Sequence, residues 1–439
     1  MENDLRESFA KRRAVFYDAM TAASPSAIAV LPAAPVFPRN NDVDHEYRQD
    51  SDFFYLTGFD EPESALLLDG PARKMVLLTR PRDPEREVWD GPRAGVDGAK
   101  ERFAADEAFP IAELDDKLPA ALENRRRIYY RLGRSRSFDD RLLGAVQRVR
   151  GRQRTGVFAP TEIVDPSDIL HEMRLRKSPD EIATMRAATR ITREAHELAM
   201  GQTRPGMYEY EIEGQILDTF RRRGSERPAY GSIVASGPNA CVLHHRKNDR
   251  QIGEGELLLI DAGCEYGYYA SDVTRTFPVG RDFSREQQAI YELVLEAQLQ
   301  GIAATRTGAT LDEIHKLSVE TITGGLLRLG LLSGEPEKII ETNGYKRFFM
   351  HRTSHWLGMD VHDVGNYFVD GQPRKLEPGM VLTVEPGIYI SPTDDTVGPE
   401  WRGIGVRIED DVLVRETGPE VLTAGIPKTV EEVRKACSV

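Results

Sequence analysis

A chain of 439 residues, 40% hydrophobic and 29% charged, is long enough to bury two cores and too evenly composed for a disordered or fibrous protein. Its formal net charge of −13, from 58 Lys+Arg against 71 Asp+Glu, works against phosphate backbones and anionic membrane surfaces, so no nucleic acid and no membrane is expected as a partner. Three scattered cysteines, Cys241, Cys264 and Cys437, are too few for a disulfide framework or a paired-cysteine zinc site and point to a reducing compartment, the cytoplasm.

In chain order, the N-terminus Met1 to Arg6 carries both signs of charge, and the first apolar run, Ala27 to Val36, is short and interrupted by Pro32 and Pro35. It reads as a strand rather than a signal peptide or membrane span. From about 25 to 165, β-rich runs (Ala27–Leu31, Ser64–Leu68, Met75–Thr79, Arg127–Arg131) alternate with helical or polar stretches, which predicts an α/β domain with a mixed sheet over 1–172. Basic and polar residues then crowd Arg148 to Thr155, and Ser178-Pro179-Asp180-Glu181 has the chemistry of a helix start: a capping Ser, Pro at the first helical position and Glu closing a capping box. Ser284 with Gln287 and Thr310 with Glu313 repeat that signal, and strands are expected at Leu257–Ile260, Val381–Val384 and Gly405–Ile408. Residues 173–439 are therefore expected to form a second, α+β domain.

The chemistry-bearing residues lie in that second part. The run Leu257-Leu258-Leu259-Ile260 ends in Asp261 beside Ala262-Gly263, and a buried strand rarely ends in a carboxylate without a partner for its charge. Asp272 follows in a second β-like segment, and a bend over 264–268 would let both aspartates face one site from adjacent strands. Two carboxylates so close repel unless one is protonated or a cation lies between them. Glu385, after Val381–Val384 and before Pro386-Gly387, and Glu409, after Gly405–Ile408, end two more expected inner strands. The segment from His351 to Asp363 adds His351, His355 and His362. Each element alone has a plainer reading: a turn or cap aspartate, a loop glutamate, a satisfied histidine, a small buried Cys264. Taken together, four carboxylates and an imidazole suit two divalent ions, Mn²⁺ before Co²⁺ or Zn²⁺, and metal-assisted hydrolysis.

The order Asp261, Asp272, His355, Glu385, Glu409 resembles the ligand set of the pita-bread metallopeptidases. The words Ile260-Asp261-Ala262-Gly263, Ser354-His355-Trp356-Leu357-Gly358, Val384-Glu385-Pro386-Gly387 and Arg407-Ile408-Glu409-Asp410-Asp411, with Tyr47 to Phe59 in the first domain, look like the aminopeptidase P family in particular. The resemblance covers nearly the whole chain. It implies a creatinase-type N-terminal domain, a pita-bread catalytic domain, and release of the first residue from peptides with proline second. By resemblance, Asp261 and Asp272 hold one metal, Asp272 and Glu409 bridge two, and His355 with Glu385 completes the second; a bridging hydroxide attacks, and Glu385 relays its proton to the leaving proline nitrogen.

Further carry-over places His244 and His362 on the substrate, His351 in the same cleft, and Arg407, Tyr389 and Asp42 behind the ligands as orienting groups. Trp89 matches a tryptophan that reaches a neighbouring subunit's cleft, which implies a homo-oligomer, dimer or tetramer. The Xaa-Pro bond, with its tertiary nitrogen, needs a dedicated pocket, whose apolar wall is expected from Tyr230 or Tyr389. One departure is Arg352: the family's bacterial members have His-Gly-Leu-Ser-His where this chain has His351-Arg352-Thr353-Ser354-His355, and the added cation bears on the length or charge preference for substrate. The rival readings are a prolidase, which takes dipeptides only, and a pita-bread binding protein that has lost catalysis.

Overall fold

The apolar run near residue 30 folds as the strand Ile28–Pro32 and sits inside a six-stranded mixed sheet. The computed structural model describes residues 2–280 and 282–437, and its contacts divide into two units, Met1–Met173 and Arg174–Val439. In the first unit the sheet order is Glu107–Pro110, Lys74–Thr79, Ala65–Asp69, Ile28–Pro32, Arg127–Tyr129, Glu162–Val164. Ile28–Pro32 runs antiparallel to Ala65–Asp69 and parallel to Arg127–Tyr129. Alternate residues Ile28 and Val30, Ala65 and Leu67 face one core, where the helices Leu114–Leu122 and Arg136–Gly151 bury Leu114, Leu118, Leu122, Leu142 and Val149 against them.

In the second unit, the three helix starts read from sequence all form capping boxes: Ser178 with Glu181 opens Pro179–Gln202, Ser284 with Gln287 opens Arg285–Ala304, and Thr310 with Glu313 opens Leu311–Arg328. These helices pack around short antiparallel strands. Leu257–Asp261 lies between Ile233–Ser236 and Thr274–Pro278, and Val381–Val384 pairs with Asp410–Arg415. No helix among the described residues is long and apolar enough to cross a membrane.

Two local expectations need correction. The segment between the two aspartates is not a simple bend: Cys264–Tyr266 and Tyr269–Ala270 form a hairpin of their own, turned through Gly267 and Tyr268 at positive φ. Asp272 therefore stands in the irregular stretch between that hairpin and Thr274–Pro278, not within a strand. The second correction concerns Glu409, which does not end a strand but occupies a break between Gly405–Arg407 and Asp410–Arg415. Beside it, Glu385 occupies the matching break between Val381–Val384 and Gly387–Tyr389. Pro386, which has no N–H for a ladder, helps to place that interruption.

His196, on the helix Pro179–Gln202, is fully buried, and its Nε2 donates to the carbonyl of Ala262 at 2.9 Å. Burial pushes its pKa down to about 4. The unfolded chain takes up a proton near pH 6.5 that the folded chain refuses, so stability present above that pH is lost as pH falls toward 4, by up to about 3 kcal/mol. Thermal melts at pH 7 and pH 5 should show a smaller drop for His196→Asn than for the wild type; equal drops would assign the acid sensitivity elsewhere.

Candidate metal centre

Gly263 brings the two aspartates together. A Cβ there would lie 1.8 Å from the carbonyl oxygen of Ser271, so only glycine lets the chain double back this closely. The bonds Ala262 N to Val273 O (3.0 Å) and Ser271 N to Cys264 O (3.0 Å) fix the register, and Asp261 and Asp272 emerge on the same cleft. Asp272, His355 and Glu409 each place a ligand atom within 4.8 Å of the others. His355 Nε2 lies 3.4 Å from Asp272 Oδ2 and 3.6 Å from Glu385 Oε1. All five expected ligands line one cleft of about 680 Å³, together with Tyr230, His244, His351 and His362.

The electrostatics show what kind of donor set this is. Burial pushes the Glu385 carboxyl up to about 7, with Asp272 and Asp261 adding repulsion against the pull of His355 and Arg407. Burial likewise raises Glu409 well above the usual carboxylate range, reinforced by Asp272, Glu385 and Asp261, and raises Asp272 despite its bond from His355. For His355, burial alone would lower the pKa, but Asp272 and Glu385 outweigh it and push it up to about 9. Four carboxylates answered by so little positive charge are a donor set for divalent cations, which favour oxygen ligands with a single imidazole.

Neighbouring groups orient the donors. Asp261 accepts from Tyr230 Oη at Oδ1 (2.7 Å) and from Arg407 Nη2 at Oδ2 (2.7 Å). Thr274 Oγ1 accepts from Arg407 Nε (3.1 Å) and donates to Glu409 Oε2 (2.6 Å). His355 Nδ1 donates to the carbonyl of Trp356 (3.0 Å), which leaves Nε2 as the nitrogen aimed at the carboxylates. The loop bearing His362 is fixed through buried Asp363, which receives Arg174 (2.7 Å) and Lys177 (3.0 Å). Buried Glu209 accepts from Ser236, Asn239 and the backbone N–H of Arg250 and lies 3.0 Å from His245, which steadies the segment carrying His244.

These bonds bear on the two roles expected of Tyr389, cleft wall and orienting group, and on His351, which lines the cleft as expected. Tyr389 is 2% exposed and packs behind the cleft with Ile233, Ala235, Ala240 and Leu259, so it is no wall for a proline ring. Its hydroxyl accepts from Arg407 Nη1 (2.9 Å) and meets His351 Nε2 (2.8 Å). His351 Nδ1 must donate to the carbonyl of Arg352 (2.8 Å), so in the neutral ring Nε2 accepts from Tyr389 and neither nitrogen is left for a ligand. Burial, with Arg407 nearby, lowers the His351 pKa to about 4, in keeping with that neutral ring. Tyr389→Phe breaks this relay without opening a cavity; kcat should fall by about tenfold with KM little changed, and an unaltered kcat would exclude a positioning role.

Of the remaining expected residues, Tyr230 lines the cleft, but its hydroxyl is committed to Asp261. Asp42, in the first unit, is exposed at the turn between Pro38–Asn40 and Val43–Asp44, and Trp89, on the helix Pro84–Asp90, is 85% exposed. Three ionisable residues of the cleft were not foreseen: Arg246, Asp312 and Tyr367. Tyr367 precedes a hairpin, Phe368–Val369 with Gln372–Pro373, turned at Asp370-Gly371, and that dipeptide is a hairpin signal legible in the sequence.

The geometry agrees with three comparisons. The profile of metallopeptidase family M24 matches residues 183–416, and that of the aminopeptidase P N-terminal domain matches 9–129. The chain therefore belongs to metallopeptidase family M24, with an aminopeptidase P type α/β domain followed by a pita-bread catalytic domain. Within that family it is 44% identical over 431 residues to the Xaa-Pro aminopeptidase of Escherichia coli, covering 98% of this chain and 97% of the relative. Among solved structures it resembles Pseudomonas aeruginosa aminopeptidase PepP (52% identity, TM-score 0.96, 99% and 98% of the two chains). It likewise resembles zinc-substituted E. coli aminopeptidase P in complex with product (43% identity, TM-score 0.95, 98% of each chain).

Proposed function

We infer that the chain is a metal-dependent Xaa-Pro aminopeptidase, hydrolysing the bond before a proline in second position and releasing the first residue. The observation that carries this reading is the convergence of Asp261, Asp272, His355, Glu385 and Glu409 on one cleft, in a chain 44% identical to an Xaa-Pro aminopeptidase along its length. We assign these five residues to two divalent ions, Mn²⁺ by preference. Bound there, the ions supply Lewis acidity toward the scissile carbonyl and make a water nucleophilic near neutral pH.

The remaining work falls to side chains. Glu385, on the cleft wall, takes up a proton at its carboxylate and returns it to the proline nitrogen, which has no hydrogen of its own and must be protonated to leave. His244 and His362 offer ring nitrogens to the peptide, and donors at that position stabilise negative charge developing on the carbonyl oxygen. Ile233, Leu243 and Val361 line the same cleft and give the pyrrolidine ring an apolar surface. Trp89 and its neighbour Val88, 85% and 82% exposed, are assigned to contact with another copy in a homo-oligomer. The cytoplasm is the proposed compartment.

Hydrolysis of Ala-Pro-Ala and Ala-Pro by metal-stripped enzyme, with and without added Mn²⁺, tests this reading. Metal-dependent release of alanine mainly from the tripeptide is expected. Preference for the dipeptide would replace the reading with a prolidase, and no cleavage of either would leave a binding protein.

A further inference from the structure

The cleft carries charge for which the proposed hydrolysis has no use. Away from the acid cluster, its ionisable lining consists of the histidines and tyrosines with Arg246, Arg352, Asp312 and Arg407, and Arg407 is buried against Asp261. Arg246 is exposed and has no ion pair or hydrogen-bonded partner for its side chain among the described residues. Arg352, its side chain 59% exposed, holds Asp312, 41% exposed, through a single Nη2 contact. Outside the acid cluster and the buried Arg407, two arginines against one aspartate leave the cleft lining with an excess of positive charge in a chain whose formal charge is −13.

An exposed ion pair is weak because water competes for both partners. A guanidinium prefers to grip a carboxylate with two parallel N–H bonds, and Asp312 occupies only one donor of Arg352. A second carboxylate entering the cleft can therefore share or displace Asp312 at little cost. In a peptide the obligatory anion is the C-terminal carboxylate, which lies downstream of the scissile bond, where an acidic third residue lies as well.

We propose that Arg246 and Arg352 form a carboxylate-reading subsite in the cleft, selecting Xaa-Pro peptides that carry a carboxylate just beyond the proline. The carboxylate is the C-terminus of a tripeptide or the side chain of an acidic third residue. Asp312 acts as an internal competitor that holds Arg352 until such a peptide arrives. The subsite rests on the Xaa-Pro reading and adds a specificity to it.

The test compares kcat/KM of the Mn²⁺-loaded enzyme on Ala-Pro-Ala, Ala-Pro-Ala-amide, Ala-Pro-Glu-amide and Ala-Pro-Gln-amide. A preference of about fivefold or more for the carboxylate member of a pair is expected, mainly in KM and shrinking with added salt. The first pair reports the C-terminus and the second the side chain; a preference in either supports the subsite and names its source. Replacing both arginines, R246Q with R352Q, should abolish the preference, and D312N should widen it, a gain that misfolding cannot produce. Equal kcat/KM within about twofold across all four peptides, or a preference that survives the double replacement, overturns the subsite while leaving the aminopeptidase intact. Failure of the wild type to cleave any of the four would overturn the Xaa-Pro reading itself.

Discussion

Asp272→Asn is expected to reduce peptide hydrolysis by roughly a thousandfold or more, the scale on which one member of a concerted catalytic set is missed, while the metal-free chain melts no lower than the wild type. Asp272 is 5% exposed and shares its space with Asp261, Glu409 and His355. In the metal-free chain its charge is a liability, because burial, with Asp261 adding repulsion, raises its pKa. Asparagine keeps the shape and removes the charge. Added Mn²⁺ should raise the melting temperature of the wild type, since an ion that binds only the folded state stabilises it by mass action, and should raise that of the variant much less. Activity within about tenfold of wild type, or an equal response to Mn²⁺, would remove Asp272 from the metal centre.

The second large effect concerns stability. Arg275, fully buried, spans the gap behind the centre: Nη1 donates to the carbonyls of Thr274 (2.9 Å) and Glu409 (2.6 Å), Nη2 to Asp410 Oδ1 (2.7 Å), and Nε to the carbonyl of Pro427 (3.0 Å). Burial would raise the Asp410 pKa, but Arg275 and Lys428 outweigh it and hold the carboxyl below its ordinary value. Arg275→Met leaves that carboxylate buried with only Lys428, Gln298 and Thr423 to satisfy it. Removing one partner of a buried pair costs about 3–5 kcal/mol, so denaturant unfolding should shift by that amount. Arg275→Met combined with Asp410→Asn should recover part of the loss, because the stranded charge is gone. A shift below about 1 kcal/mol for the single replacement would show that water reaches the pair.

The chain announced its helix starts and its ligands for different physical reasons. Ser178, Ser284 and Thr310 satisfy backbone donors three residues away, so their role is written within four residues and survives any tertiary context. Asp261, Glu385 and Glu409 were visible because a charge at the end of an apolar run is costly unless something answers it. The hairpin over 264–270 was hidden, since Cys264 to Tyr266 pairs outward with Arg227–Pro228 as well as with its own return strand. Tyr389 was expected both as a cleft wall and as an orienting group, and the choice between them depends on Arg407 and His351, 18 and 38 residues away. Arg352 meets Asp312 across 40 residues of chain, and neither residue type alone signals that encounter.

The paired interruptions at Glu385 and Glu409 have a consequence for metal exchange. Each glutamate hangs from a rung between two strand segments anchored on either side, and Glu385 N donates to Thr353 O (2.8 Å) while Glu409 N donates to Thr274 O (3.1 Å). These bonds pin the backbone of both glutamates, so ions of different radius held there would be accommodated by rotation of the carboxylates rather than by movement of the chain. Such a scaffold would let one divalent ion replace another without refolding, and the supply of ions around the protein, rather than the shape of its chain, would then decide which metal it carries.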